Sequence, residues 1–290
     1  GNMQSDGEPS IVSDNGSAIT WDGQYLPGPW LTVKAMELAF DRIVNHPVVT
    51  VVIRKSHHIG CLAAYPKLAT DRNLLMWLSC SDPSVKTVAP FGGLEPVYTP
   101  NPIAAGIPTE TDPIIFDISM SSVANGIIAK AKREDKKLTG KWIQDNKGNP
   151  SDDPSDCYTD PPGTVLPLGG AELGYKGFAL GLFVESITSA LAGHGRSDEP
   201  GEWGASVFLQ VINPGAFGGT DFFLKETSWF KEACKSSTSV SSESPVRLPG
   251  ESGFLKKKNQ LKEGVTLAPD LVISLQEWAE KCRIPFPGAL

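Results

Sequence analysis

Two adjacent histidines stand directly after a continuous apolar run of the chain. Only four histidines occur in the sequence, and His57 and His58 follow the run 48–53 closely. Histidine exchanges protons near neutral pH, and Gly60 lets the backbone turn sharply beside the pair. One histidine is therefore a candidate acid/base group, oriented by its neighbour or by Ser56. The alternative is a pair of histidines satisfied by backbone hydrogen bonds at the end of a strand.

The elements expected around the pair place it at the edge of a sheet. Residues 48–53 are all Val, Thr or Ile, which is typical of a strand covered on both faces. Ligands of open α/β sheets collect beyond the carboxyl ends of strands, where the pair lies. Because strands and helices mix, the predicted fold class is α/β, or mixed α+β, around a buried mixed sheet. Further strands are predicted at 74–80, 103–107, 114–118 and 207–212, and helices at 29–46, 61–73, 177–193 and 269–281.

Composition and charge exclude several classes of protein. The 290 residues suit one large or two modest domains. The net charge is −7, and the absence of a basic stripe argues against a nucleic-acid partner. The sequence contains no apolar run near the roughly 20 residues that span a bilayer, and no signal peptide is recognised. Five scattered cysteines without a CxxC pair predict free thiols, so a soluble, cytoplasmic protein is expected.

Local composition divides the chain into four segments. The polar residues 1–20 are expected to be loose, and residues 21–235 are expected to form the main domain. The serine-rich stretch 236–244 is typical of a flexible connector. Residues 245–290 are expected to pack back on the main domain as a C-terminal segment.

A glycine-rich segment opens the strongest predicted helix. Gly174, Tyr175, Lys176 and Gly177 combine free helix-start amides with a lysine, which suits an anion. The alternative is a helix start whose glycines permit close packing. No GxGxxG, Walker A or GxSxG motif occurs, so the usual dinucleotide turn, ATP loop and hydrolase nucleophile elbow are absent. A zinc site at the histidine pair is the weaker interpretation, since HExxH and paired CxxC motifs are missing.

Eight stretches, in order along nearly the whole chain, together resemble one family. The stretches are WDGQYLPG, RKSHHIG, VAPFGG, YTPNPIAAGIP, FDISMSSVANG, DNKGNPSDDP, LPLGG with GYKGFALGLFVE, and VRLPGE. They are similar to the malate/L-lactate dehydrogenase family, which is distinct from the ordinary lactate dehydrogenases and includes ureidoglycolate, sulfolactate and diketogulonate oxidoreductases and a reductase of cyclic imino acids. The resemblance implies NAD or NADP bound without a Rossmann fold, on a mixed β-sheet domain with flanking helices like that of L-sulfolactate dehydrogenase. It also implies a homodimer.

The resemblance also assigns roles to particular residues. The family's serine-x-histidine-x-glycine motif falls on Ser56, His58 and Gly60, which makes His58 the first choice for the acid/base and leaves His57 where asparagine is frequent. A substrate carboxylate requires a cation, for which Arg54, Lys55 and Lys176 are candidates. The expected cofactor contacts are Ser119, Met120, Ser121, Lys176, Gly177, Pro249, Gly250 and Glu251.

Three departures from the family pattern bear on activity. Met120 stands where threonine is usual, so a hydroxyl contact to the cofactor is expected to be missing. Thr99-Pro100 replaces the more common Gly-Thr before Asn101. The family's N-terminal helical segment, with a second serine-histidine-glycine and an arginine for the substrate carboxylate, has no match in this sequence. The chain alone is therefore expected to bind a nicotinamide cofactor weakly and to turn over poorly.

Three functions follow as hypotheses. The first is an oxidoreductase that moves a hydride between NAD or NADP and C2 of a small 2-hydroxy/2-oxo acid, malate-like or lactate-like, or an imino acid. The second is a catalytically impaired cofactor-binding or scaffolding protein on the same fold. The third is a metal hydrolase that uses the histidine pair, which bound zinc would reveal.

Overall fold

The computed structural model describes residues 3–241 and 244–286. The chain separates into two compact units, Gly1–Cys234 and Lys235–Leu290. The predicted connector 236–244 includes residues 242 and 243, which lie outside the described residues, as do residues 1 and 2 of the N-terminal segment and 287–290 of the C-terminal segment.

The first unit is built on a seven-stranded sheet in the order β1-β2-β3-β10-β4-β5-β6. Within it, β2 and β3 run parallel, and every other neighbouring pair is antiparallel. The predicted mixed sheet is thus confirmed. Its strands are β1 Ser10–Asp14, β2 Ala18–Asp22, β3 Val48–Ser56, β4 Leu75–Ser81, β5 Ile103–Ile107, β6 Ile114–Ile118 and β10 Ala205–Ile212, and a smaller sheet of order β8-β7-β9 contains β7 Ile143–Gln144, β8 Pro150–Ser151 and β9 Thr164–Val165.

The two central strands, β3 and β10, are covered on both faces, as the sequence predicts. On one face Val51 and Leu209 belong to the main core, to which the first helix also contributes buried side chains. On the other face Val52 and Phe208 pack with Ala192. Burying both faces accounts for the unbroken β-branched run, because an alternating pattern would leave polar residues inside.

Eight α-helices occur within the described residues, several of them flanking the sheet. They are α1 Gly28–Arg42, α2 Pro66–Thr70, α3 Asn125–Arg133, α4 Gly170–Leu173, α5 Tyr175–Glu185, α6 Thr220–Lys235, α7 Glu251–Glu263 and α8 Pro269–Cys282, and α5 continues as a π-helical turn over Ser186–Ala190. The second unit contains α7 and α8. Lys256, Lys257 and Lys258 lie exposed on α7, as a solvated helix face. None of the described helices is long and apolar enough to cross a membrane.

One local prediction was wrong. The polar N-terminal segment is not loose throughout, because Ser10–Asp14 pairs with β2 as an edge strand, which tolerates polar residues on its open side. The large apolar residues of the 177–193 helix do not all face the core. Small residues such as Gly181 and Thr188 pack inward, whereas Leu180 and Leu191 are exposed.

Candidate active site

Several strand ends meet at one edge of the large sheet. Strand β10 is antiparallel to both β3 and β4, so those two strands run in the same direction. The register pairs Ala205 with Ser56 and Ser206 with Ser81. The carboxyl ends of β3 and β4 therefore flank the amino end of β10. This register brings His57, Asp82 and Trp203, which follow or precede those ends, to the same edge.

Two further segments reach this edge through β5 and β6. Ile103, the first residue of β5, pairs with Ser79 of β4 and with Ile118, the last residue of β6. The segment before β5 and the segment after β6 therefore lie at the same end of the sheet as the histidine pair. They include Asn101 and Ser119, which come from two of the motifs that carry the family resemblance.

The Trp203 indole packs against the rings of both histidines. The His57 ring meets the indole edge-on with a centroid distance of 4.6 Å. The His58 ring stacks on it at 5.7 Å with planes 19° apart. Burial, followed by the nearby charge of His58, lowers the pKa of His57 below its ordinary value. His57 is thereby favoured as a neutral packing residue, while His58 is the exposed member of the pair.

A backbone hydrogen bond fixes the proton position on His58. The Gly60 N–H donates to His58 Nδ1 at 3.0 Å, and Gly60 adopts a positive φ of 72° to make this turn. Because Nδ1 accepts, this bond assigns the proton of the neutral ring to Nε2. His58 is thus presented as a hydrogen-bond donor through Nε2. To accept a proton there, the ring must first release Gly60 and carry its proton on Nδ1.

Two glycines permit the close backbone approaches that position the histidines. A Cβ on Gly28, at the start of α1, would lie 2.3 Å from the His57 carbonyl oxygen and 2.4 Å from that of His58. A Cβ on Gly204, just before β10, would lie 3.0 Å from the Ser56 carbonyl oxygen. Any larger residue at Gly28 would displace the histidine backbone, so α1 and the catalytic candidates are positioned together.

A cavity of about 270 Å³ lies at this sheet edge, with His58, Trp203 and Asp82 in its wall. Among the described residues that line it, none is arginine or lysine. Cys80 also lines the cavity, but burial raises the pKa of its thiol to about 12. Cys80 is therefore a protonated, apolar part of the wall and no nucleophile.

The Asp82 carboxylate has one satisfied and one unsatisfied oxygen. Oδ1 accepts hydrogen bonds from the Ser84 amide at 2.9 Å and the Ser84 hydroxyl at 2.7 Å. Oδ2 is buried and has no hydrogen-bond partner among the described residues. A buried carboxylate oxygen without a donor is energetically unfavourable. Asp82 therefore belongs to the cavity wall while one of its carboxylate oxygens stays buried and unsatisfied.

An ion pair between Glu185 and Arg196 supports the cavity wall from behind. Arg196 Nη2 lies 2.9 Å from Glu185 Oε1, and the same oxygen accepts from Ser81 at 2.6 Å and from Asn101 at 3.0 Å. Arg196 also donates to the backbone carbonyl of Asp82 at 2.9 Å. The pair thus fixes three cavity residues, and Asn101 is held with a positive φ of 49°.

The predicted cofactor segment 119–121 turns inward rather than outward. The Met120 side chain is 1% exposed, and its amide and carbonyl bond to the Pro100 carbonyl and the Leu168 amide. Ser121 is buried too. Ser119 is partly exposed and donates its hydroxyl to the Ser121 carbonyl. Of these three residues, Ser119 is the one with accessible polar atoms.

Lys176 and Gly177 occupy different environments at the start of α5. The Lys176 side chain is exposed, with Nζ 5.8 Å from the Tyr175 ring, and it forms no ion pair with a described residue. The Gly177 amide already donates to the Leu168 carbonyl at 3.1 Å, and a Cβ at Gly177 would lie 2.3 Å from the Leu168 nitrogen. The helix start therefore combines features of both interpretations. Gly177 permits close packing, as the packing interpretation requires, and Lys176 presents an exposed cation, as an anion site requires.

Arg54, Lys55 and Ser56 are not among the residues that line the cavity. Arg54 donates to Asp22 Oδ2 at 3.0 Å, and Lys55 Nζ lies 3.9 Å from the same oxygen. Ser56 is fully buried, and its hydroxyl donates to the His57 carbonyl rather than to an imidazole. The residues Pro249, Gly250 and Glu251 belong to the second unit, where Gly250 turns with a φ of 91° before α7 and Glu251 pairs with Lys235.

Sequence reasoning missed Asp82, Trp203, Glu185 and Arg196. Asp82 lies two residues after a predicted strand, which is a usable signal, but the three others are recruited through tertiary contacts. A larger cavity of about 650 Å³ contains none of the predicted residues. Within the described part of the chain, no three His, Cys, Asp or Glu side chains gather as a metal site would require.

Comparison with known proteins identifies the family. Malate/(S)-sulfolactate dehydrogenase of Methanothermus fervidus is 28% identical over 98% of this chain and 82% of its own length. L-lactate dehydrogenase of Cupriavidus necator is 28% identical over the same shares. The crystal structure of malate dehydrogenase from Entamoeba histolytica superposes with a TM-score of 0.91 at 23% identity, covering 99% of this chain and 83% of that one. Residues 1–276 match the family profile described as malate/L-lactate dehydrogenase. The chain therefore belongs to the malate/L-lactate dehydrogenase family, whose members are oxidoreductases acting on CH–OH groups.

Proposed function

We propose that this protein is a nicotinamide-dependent oxidoreductase that moves a hydride between the cofactor and C2 of a small 2-hydroxy/2-oxo acid or imino acid. The observation that carries the proposal is the placement of His58. His58 lines a cavity at the carboxyl ends of β3 and β4, where ligands of such sheets bind, and the Gly60 bond to Nδ1 leaves Nε2 as the donor of the neutral ring. Family membership supports the reaction class. The particular acid, the choice between NAD and NADP, and a cytoplasmic location stay predictions.

The residues at this edge fit a nicotinamide cofactor. Trp203 and Leu62 give the cavity apolar faces, and Asn125 contributes an amide. Lys176 provides an exposed cation for a phosphate. When bound, the nicotinamide supplies the hydride donor or acceptor.

His58 provides the proton transfer that a 2-oxo acid requires. A carbonyl oxygen that becomes negative during reduction is stabilised by the Nε2–H donor, and a protonated imidazole transfers a proton to that oxygen. In the direction of oxidation, neutral His58 takes the hydroxyl proton after the ring releases Gly60. Trp203 keeps the imidazole plane fixed in both directions.

Replacement of Lys176 by alanine tests the cofactor site. We expect Lys176→Ala to raise the Kd of NADPH or NADH several-fold at low ionic strength and less at high salt, because exposed charges are screened. Fluorescence titration of the reduced cofactor measures both values. Lys137→Ala is the control, since Lys137 is another exposed lysine, paired with Asp152. An unchanged Kd at low salt would remove Lys176 from the cofactor site.

A catalytically impaired cofactor-binding or scaffolding protein is the second candidate. The observation that favours it is the buried Met120, which leaves the 119–121 segment without an exposed side-chain hydroxyl at its centre. Assay of the purified chain with both cofactors and a panel of 2-oxo and imino acids distinguishes the two. Cofactor binding without turnover of any member of the panel would support the impaired protein.

We propose that the protein is a homodimer. The support is an exposed set of large apolar side chains on and near α5, where Leu180, Leu182 and Leu191 are 43%, 51% and 56% exposed. Large contiguous apolar surface marks an interaction site. Sedimentation equilibrium should give twice the chain mass of 31.0 kDa. We expect Leu182→Glu to shift the protein to the monomer mass while Leu261→Glu, exposed on α7, leaves it unchanged. A monomeric wild-type chain would contradict the proposal.

A further inference from the structure

The turn that follows β4 forms part of the wall of the His58 cavity. Asp82 and Val85 belong to the lining of that cavity, as does Ser81 at the end of the strand. Within the turn, the Ser84 amide and hydroxyl donate to Asp82 Oδ1, and the Val85 amide donates to the Asp82 carbonyl at 3.4 Å. These bonds are local, so they shape the turn without joining it to the rest of the protein.

A single side chain makes that connection. Arg196 Nη1 donates to the Val85 carbonyl at 2.6 Å and, at the longer distance of 3.5 Å, to the Pro83 carbonyl. Its Nη2 donates to the Asp82 carbonyl at 2.9 Å. Among the described residues, Arg196 is the donor of every hydrogen bond between residues 82–85 and another part of the chain. The position of the turn therefore depends on one guanidinium group.

The guanidinium is itself held in a fixed orientation. Arg196 Nε lies 3.2 Å from Glu185 Oε2, and Nη2 lies 2.9 Å from Oε1, which is the two-point geometry of an arginine–carboxylate fork. The backbone that carries Arg196 is closed by Asp198, whose Oδ2 accepts from the Gly195 amide at 2.7 Å. A lysine at this position would keep the charge but lack the planar set of donors that meets Glu185 and the carbonyls together.

We infer that Arg196 is a positioning residue of the His58 cavity, which holds the 82–85 turn in the conformation that completes the cavity wall. Arg196 lines the separate, larger cavity and acts on the His58 cavity through the turn. The inference rests on the proposed function, since it takes the His58 cavity as the place where cofactor and substrate bind. When the turn is released, only the fraction of molecules with the turn in place binds ligand, so the apparent affinity falls by that fraction.

Two variants of the full chain, Arg196→Lys and Arg196→Ala, test this role by hydrogen–deuterium exchange and mass spectrometry. The amides in a peptide covering residues 82–87 should exchange at least about tenfold faster than in the wild type, because the turn opens locally. The central strand segment 48–53 should keep its wild-type exchange. Arg72→Ala is the matched control, since Arg72 is an exposed arginine that donates to the Leu68 carbonyl, and it should change neither segment.

Ligand affinity provides the second measurement on the same variants. The Kd of NADPH or NADH and the KM for pyruvate should each rise about tenfold if roughly one molecule in ten keeps the turn in place. The kcat should change by less than about threefold, because the bound molecules retain the wild-type arrangement. An arginine that only stabilised the fold would act differently, since its loss would reduce the amount of active protein and leave Kd and KM unchanged.

The outcomes separate this inference from the proposed function. Wild-type exchange at residues 82–87, wild-type behaviour of Arg196→Lys, or equally accelerated exchange along the whole chain would overturn the positioning role of Arg196. Faster exchange at residues 82–87 with an unchanged cofactor Kd would overturn it as well, because the turn would then not shape the site. A wild-type chain that binds no cofactor would contradict the proposed function, and the exchange pattern would still decide whether Arg196 holds the turn.

Discussion

Replacement of His58 by alanine should lower kcat for pyruvate reduction by about 10²–10⁴-fold, the usual contribution of a positioned acid/base group. His58 lines the cavity, and its Nε2–H is oriented by the Gly60 bond to Nδ1. The affinity for reduced cofactor should change by less than a few-fold, because the exposed imidazole contributes little of the binding surface. Steady-state kinetics and cofactor titration measure the two effects separately.

Two further variants make this test specific. His58→Gln keeps a side-chain donor but cannot transfer a proton, so it should retain substrate binding and lose kcat. His57→Ala is the matched control, since His57 packs edge-on against Trp203 and burial keeps it neutral. Its loss should affect stability more than the pH dependence of kcat. Nearly full activity in His58→Ala would exclude His58 as the acid/base and make His57 the next candidate.

The strands that could be predicted are those whose own residues carry a clear β pattern. The run 48–53 could be assigned to a doubly covered strand because every residue is β-branched, and the structure extends that strand to Ser56. The strands Ile103–Ile107 and Ile114–Ile118 match their predicted bounds. The short strands β7 and β9 were not predictable, since two residues carry no period-2 pattern and pair only once the 145–165 loops are folded.

The candidate site was predictable only where function leaves a mark in adjacent residues. The histidine pair and Gly60 form a local turn, so this part of the site can be predicted from adjacent residues. Trp203 lies about 145 residues away in the chain and is brought to the histidines by the pairing of Ala205 with Ser56. The exposure of the apolar residues on α5 could not be predicted from the sequence either. Helical spacing shows which side chains share a face, but it does not show what covers that face.

Glu185 accepts hydrogen bonds from Ser81, Asn101 and Arg196, and its replacement by alanine should lower the free energy of unfolding by about 3 kcal/mol, the lower end of the range for removing one partner of a buried pair, because the pair is partly exposed. Its side chain is 19% exposed and that of Arg196 is 17% exposed. Glu185→Ala leaves the Arg196 charge and the donors of Ser81 and Asn101 without their shared acceptor. Urea unfolding monitored by tryptophan fluorescence measures the change.

The exposed pair of Lys67 and Asp71 provides the contrast for that measurement. Both side chains are largely in water, at 41% and 53% exposure, so Asp71→Ala should cost only about 0.3–0.5 kcal/mol. The double replacement Glu185→Met with Arg196→Met should destabilise less than Glu185→Ala alone, because it removes both charges together. Since Ser81 and Asn101 line the cavity, Glu185→Ala should also lower kcat/KM. A loss of stability below about 1 kcal/mol would show that water replaces Glu185, and the pair would then not be what holds the cavity wall in place.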